Sequence, residues 1–280
     1  MLYPWHDHSA RFSPLKAATL FGAFAPAAWL FIRWLGGDLG GRPVTEAIHV
    51  MGDWAVRFLL ITLAVTPARA VFDWSRVVLL RRMLGVTCAC YAAGHLLLYF
   101  VDQKWVLWTV ASEIVLRFYL TIGFVALSGL MVLAVTSTDG WQKRLRQRWK
   151  KLHRIVFAIA VLALFHYFLQ SKVDVTSAVL LAGFFVWLAL WRLAPKRWQS
   201  RVLWLAGLAP AAAVLTAAIE ASWYALATRV NAVGVLWGNL DVAYGLRPAM
   251  QVLVLGLVVF AVAGLRRVFR RRRKVVSATA

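Results

Sequence analysis

Eight apolar runs of about twenty residues recur along the chain, and they constrain its fold more than any other feature. They lie near 17–35, 47–67, 83–101, 114–135, 152–170, 175–193, 202–224 and 248–265. Each is long enough to cross a hydrocarbon core of roughly 30 Å at about 1.5 Å per residue. A chain that is 62% hydrophobic and yet carries a net charge of +21 does not fit an ordinary soluble domain. The expected fold is all-α, a polytopic integral membrane helix bundle.

The positive charge sets the orientation, because short cytoplasmic loops accumulate Lys and Arg while translocated ones do not. One alternating set of segments holds twenty-two such residues. It comprises the N-terminus (Arg11, Lys16), the second loop (Arg69, Arg76, Arg81, Arg82), the fourth loop from Lys143 to Lys151, the sixth (Lys196, Arg197, Arg201) and the tail from Arg266 to Lys274. The other set holds five: Arg42, Lys104, Lys172, Arg229 and Arg247. Both termini are therefore expected in the cytoplasm, in keeping with an even number of spans. The charge is accounted for by topology and by attraction to anionic lipid, so nucleic acid is not an expected partner. The first run follows a polar stretch and has no small-residue cleavage site, so it is expected to stay as a helix.

Several chemistries lack their residues. Cys88 and Cys90 lie two apart in one span, where a normal disulfide cannot form, and they read as small packing residues. There is no phosphate-binding glycine loop, zinc-type cysteine spacing or serine-histidine-acid arrangement.

Polar residues at membrane depth are costly and mark candidate sites. His49 opens the second span, His95 lies in the third, and His153 and His166 lie in the fifth. The third and fifth spans both run outward from basic loops. His95 comes 13 residues after Arg82 and His166 13 residues after His153, so both sit about 20 Å along their helices and share a level. Two neutral imidazoles at one depth suit a b-type haem with two axial nitrogens. The alternative is that they only hydrogen-bond between helices. His153 sits at the basic end and points roughly 140° away from His166 around an ideal helix. It could hold a second haem with a non-histidine ligand, or position a propionate, a quinone or a flavin phosphate. His49, at the level of His95 and His166, reads as a supporting residue before a metal ligand. Gly94, beside His95, leaves room for a flat macrocycle. Arg57 follows Asp53 by one turn and Arg117 follows Glu113 by one turn; each pair can neutralise itself, and each arginine could meet a haem propionate.

The stretches TEAIHVMGDWAVRFLLITLAVTP, RRMLGVTCACYAAGHLLLY, LRFYLTIG and TSTDGWQKRLRQRWKKLHRIVFAIAVLALFHYF, in this order, resemble the MsrQ family, a branch of the ferric-reductase-like transmembrane group. The resemblance covers roughly 45–172. It implies a ferric-reductase-like haem-binding core and a role as the haem b subunit of a methionine-sulfoxide reductase system in the bacterial inner membrane. Electrons would come from the quinone pool or a cytoplasmic flavin reductase. They would pass to a periplasmic molybdopterin enzyme that repairs oxidised proteins and itself performs the sulfoxide reduction. The family's histidines fall on His95, His153 and His166, with His49 also matching, and FMN is implied by the resemblance alone. The chain then divides into 1–44 (N-terminus, first span and outer loop), 45–172 (core), 173–200 (sixth span and loop) and 201–280, an extension with two further spans and the basic tail. Competing readings are a stand-alone ferric or quinone reductase and a non-redox transporter.

Overall fold

Apolar length becomes helix throughout the computed structural model, which describes residues 5, 11–172, 174–243 and 245–278, with side chains through residue 269. Arg270, Arg271, Arg272, Arg273 and Lys274, counted above in the basic tail, thus have side chains outside the described residues. The described chain is helical with no β-strand, and eight of its helices are long and apolar enough to cross a membrane. It is a multi-pass, all-α membrane protein. The helices are α1 Pro14–Leu35, α2 Pro43–Phe72, α3 Arg81–Asp102, α4 Leu107–Leu116, α5 Phe118–Val135, α6 Asp139–Leu145, α7 Gln147–Leu152 and α8 Val156–Ser171. They continue with α9 Thr176–Leu193, α10 Lys196–Gln199, α11 Val202–Ala227, α12 Ala232–Gly238 and α13 Pro248–Ala278.

One expectation changes. The apolar run at 114–135 is not a single helix. The backbone is extended at Arg117 (φ −102°, ψ 104°), which ends α4 and starts α5. The Thr121 hydroxyl donates to the Ile114 carbonyl at 2.6 Å across the break and satisfies one of the acceptors left open there. At ten residues α4 is too short to span a bilayer, and its exposed Leu107, Trp108, Val115 and Leu116 fit the membrane interface.

The chain packs as two compact units. The first contains Met1–Thr62 and Val78–Gln170. In it, Pro26 lacks the N–H that a helix interior needs, and the ladder of α1 opens beside it. The Tyr91 hydroxyl of α3 fills the gap, donating to the Ala23 carbonyl at 2.8 Å and accepting from the Ala27 N–H at 3.0 Å. On the next turn toward the N-terminus of α3, buried Cys88 gives its S–H to the Ala55 carbonyl of α2 at 3.2 Å, a packing role. These contacts tie α1 and α2 to the helix that carries His95.

The second unit contains Leu63–Val77 and Ser171–Ala280. Its core joins Val71, Trp191, Leu205, Leu208 and Ala263. Small residues let its helices approach closely: a side chain at Gly256 would strike Ala209 of α11, and one at Gly183 would strike Thr216 and Val252. One acid is enclosed there. Glu220 is 1% exposed; Asn239 donates to it at 2.6 Å and Arg247 pairs with it at 3.4 Å.

Candidate functional site

The first unit brings His95 and His166 together and leaves His153 and His49 apart from them. The ring centres of His95 and His166 are 6.3 Å apart, with planes at 86°. Each ring is held in the same way. Nδ1 of His95 lies 2.8 Å from the carbonyl of Ile48 in α2, and Nδ1 of His166 lies 2.8 Å from the carbonyl of Tyr119 in α5. A carbonyl can only accept, so each Nδ1 carries the proton, and in the neutral ring Nε2 then keeps its lone pair. No described residue bonds either Nε2. Donation from Nδ1–H to a fixed carbonyl sets the tautomer, restrains the ring and makes Nε2 a better base, which is how proteins prepare metal-binding histidines.

Both rings rest on glycine. A methyl added at Gly52 would sit 2.8 Å from Nδ1 of His95, and one at Gly123 would sit 2.7 Å from Nδ1 and Cε1 of His166. At Gly94, by contrast, the nearest atom is the flexible Met51 methyl, at 2.5 Å from an added Cβ. The close approach used by the histidines is therefore at Gly52 and Gly123, neither of which stands out in the sequence.

Two imidazoles bound to one metal atom through nitrogens at about 2.0–2.1 Å have ring centres roughly 6 Å apart. The observed spacing suits one metal ion between two neutral nitrogen donors. Among the described residues no cluster of three or more histidine, cysteine or carboxylate side chains forms a closed metal cage. A two-imidazole site of this kind fits an ion whose other ligands come from a macrocycle.

Charged and hydroxyl groups form networks on the helices that carry and hold the pair. Arg57 forms an ion pair with Asp53 and lies over the Trp54 ring at 5.3 Å. Asp53 also accepts from the hydroxyl of Tyr167, the neighbour of His166, at 2.9 Å. One turn after His95, the Tyr99 hydroxyl donates to Glu113 at 2.7 Å. Glu113 pairs with Arg117 at 2.6 Å, and Arg117 donates to the Tyr119 hydroxyl at 3.1 Å. This chain of contacts joins the helix of His95 to the residue whose carbonyl holds His166. Sequence reasoning named both arginines and their acid partners but not the tyrosines that share their networks.

His153 has other company. Its ring stacks on Trp149 at 3.9 Å, and its Nε2 lies 3.2 Å from the Thr136 hydroxyl. Trp149 donates to the Thr136 carbonyl at 2.8 Å, so the three residues fasten the end of α5 to the turn that precedes α8. His49 is exposed and makes no hydrogen bond with a described residue.

Comparison with known proteins identifies the family of the chain. The family described as "Ferric reductase like transmembrane component" matches residues 51–164, which include His95 and His153 and end two residues before His166. The chain is 42% identical over 193 residues to the "Protein-methionine-sulfoxide reductase heme-binding subunit MsrQ" of Xanthomonas euvesicatoria, covering 66% of this chain and 88% of that one. The chain belongs to the MsrQ family. The MsrQ of Caulobacter vibrioides is 38% identical over 180 residues, covering 64% of this chain and 84% of its own. The MsrQ of Rhodospirillum rubrum is 39% identical over 182 residues, covering 64% and 88%. About a third of this chain thus lies outside each match to the MsrQ relatives. No solved structure matches the chain significantly.

Proposed function

We propose that this protein is the haem b subunit of a methionine-sulfoxide reductase system, carrying electrons across the inner membrane to a periplasmic molybdopterin-containing partner. The observation that carries the reading is the His95–His166 pair, with protons fixed on Nδ1, both Nε2 lone pairs open and ring centres 6.3 Å apart. Haem bound there supplies a one-electron carrier. The chain's own residues set the conditions for it. The Ile48 and Tyr119 carbonyls fix the tautomer and the orientation of both imidazoles, and the packed helices restrict water. Arg57 and Arg117, each paired with an acid, keep further N–H groups that could meet a propionate. One haem suffices for this reading: His153, engaged by Trp149 and Thr136, serves as a clasp at the basic end. The basic residues from Lys143 to Lys151 lie on the side where a quinone or a cytoplasmic flavin reductase would deliver electrons, and both termini belong to that side.

Absorption spectra of the purified protein test the reading. Reduced b-type bands are expected in the wild type, and their disappearance is expected in both His95→Ala and His166→Ala. Protein isolated without haem from haem-replete cells would overturn it. Stopped-flow oxidation of the reduced protein by a periplasmic molybdoenzyme, set against Fe(III) chelates, separates this role from that of a stand-alone ferric reductase.

A further inference from the structure

The two halves of the histidine site are built to one pattern. In each, an imidazole Nδ1 reaches a backbone carbonyl 47 residues earlier in the chain, at 2.8 Å. Four residues after that carbonyl, one helical turn on, stands a glycine in contact with the same imidazole. Ile48, Gly52 and His95 make one set, and Tyr119, Gly123 and His166 make the other. The carbonyl holds the ring at one edge while the glycine backbone lies beneath it, so the ring has no freedom to turn about its Cβ–Cγ bond.

From this we infer that Gly52 and Gly123 are positioning residues that fix the axial imidazole planes nearly perpendicular, at the observed 86°. The inference rests on the haem ligation proposed above. It assigns a spectroscopic and redox consequence to two residues that have no side chain with which to ligate a metal. A ferric low-spin haem between perpendicular imidazole planes gives a strongly anisotropic paramagnetic resonance signal with a high maximum g value, whereas parallel planes give a lower one. An alanine methyl at either glycine would come within 3 Å of the ring atoms, nearer than carbon sits to an unbonded neighbour, so the ring must turn or withdraw. Turning changes the angle between the planes. It also weakens the Nδ1–H bond to the carbonyl, makes Nε2 less basic and stabilises ferric iron less.

The experiment compares Gly52→Ala and Gly123→Ala with Gly85→Ala in detergent-purified, haem-loaded protein. Gly85 is a fair control, since an added Cβ there meets only the Thr62 methyl at an ordinary 3.7 Å. A fall in the maximum g value and a rise in midpoint potential are expected in the first two variants at unchanged haem per protein, with no shift in the control. Retained haem with an unshifted signal and potential in both variants would overturn the positioning role and leave the ligation intact. Haem surviving in His95→Ala and His166→Ala would overturn the ligation itself. If the alanine variants lose their haem, His95→Gly supplemented with free imidazole or with 1-methylimidazole puts the same question. Imidazole can donate to the Ile48 carbonyl and should restore the wild-type g value, which 1-methylimidazole should fail to do. Identical spectra from the two additives would refute the inference.

Discussion

Both units enclose polar groups among apolar helices, and they dispose of them in opposite ways. In the second unit the Glu220 carboxylate has its oxygens engaged by Asn239 and Arg247, so the acid spends its bonding capacity on closing the connection between α11 and α13. In the first unit the histidines spend only half of theirs. Nδ1 is committed to a carbonyl and Nε2 is left open. An intramembrane polar group that satisfies itself within the protein stabilises a fold. One held rigidly with a free lone pair is prepared for a partner that the chain does not encode. Residue type and burial alone would rank Glu220 first; the accounting of hydrogen bonds reverses the order.

Four measurements can break or sharpen this contrast. The largest effect is expected in the first unit: His95→Ala or His166→Ala should lose essentially all bound haem, read as the absorbance of the pyridine haemochrome per protein. In the second unit, Glu220→Ala strips Arg247 and Asn239 of their common acceptor and should cost about 3 kcal/mol in detergent unfolding. It should leave the haem bands of the remaining folded protein unchanged; a bleached Glu220→Ala protein would show that the enclosed acid also serves the cofactor. Thr136→Val removes the partner of His153 and should cost about 1 kcal/mol with no change in haem content, whereas a loss of haem would return His153 to the ligands. The smallest effect concerns Asp174, an exposed residue ahead of α9 whose carboxyl is held below its usual range by hydrogen bonds from Thr176. A depressed carboxyl stabilises the fold when ionised. Its contribution should be full above the ordinary value of about 4 and fade as pH falls below it, and Asp174→Asn should flatten that part of the stability curve.

The parts legible in the sequence are those governed by length along a helix. Eight apolar runs give eight spans because a bilayer accepts nothing shorter. His95 and His166 could be matched in level because each residue adds a fixed rise from a basic loop. The illegible parts depend on contacts across helices. Glu113 and Arg117, one turn apart, look like an ordinary helical pair, so the sequence reads straight through the break that Thr121 bridges. Gly52 and Gly123 are two glycines among many that membrane helices tolerate, and only the ring lying on each distinguishes them. Their equal distance from the two histidines is the one trace of that role in the sequence. Asn239 and Arg247 reach Glu220 from a connection whose path no periodicity announces.

The Tyr91 hydroxyl lodged in the ladder of α1 has a consequence for how the protein is made. Helices enter the membrane in the order of synthesis, so α1 arrives with a Pro26-weakened turn, and the hydroxyl that bridges its Ala23 carbonyl and Ala27 N–H comes only with α3. Backbone polar groups need partners in lipid, so this turn of α1 reaches its final hydrogen bonding only when the third helix docks. That helix carries His95 one turn beyond Tyr91. Maturation of the first helix and arrival of half of the proposed cofactor site are therefore the same assembly event.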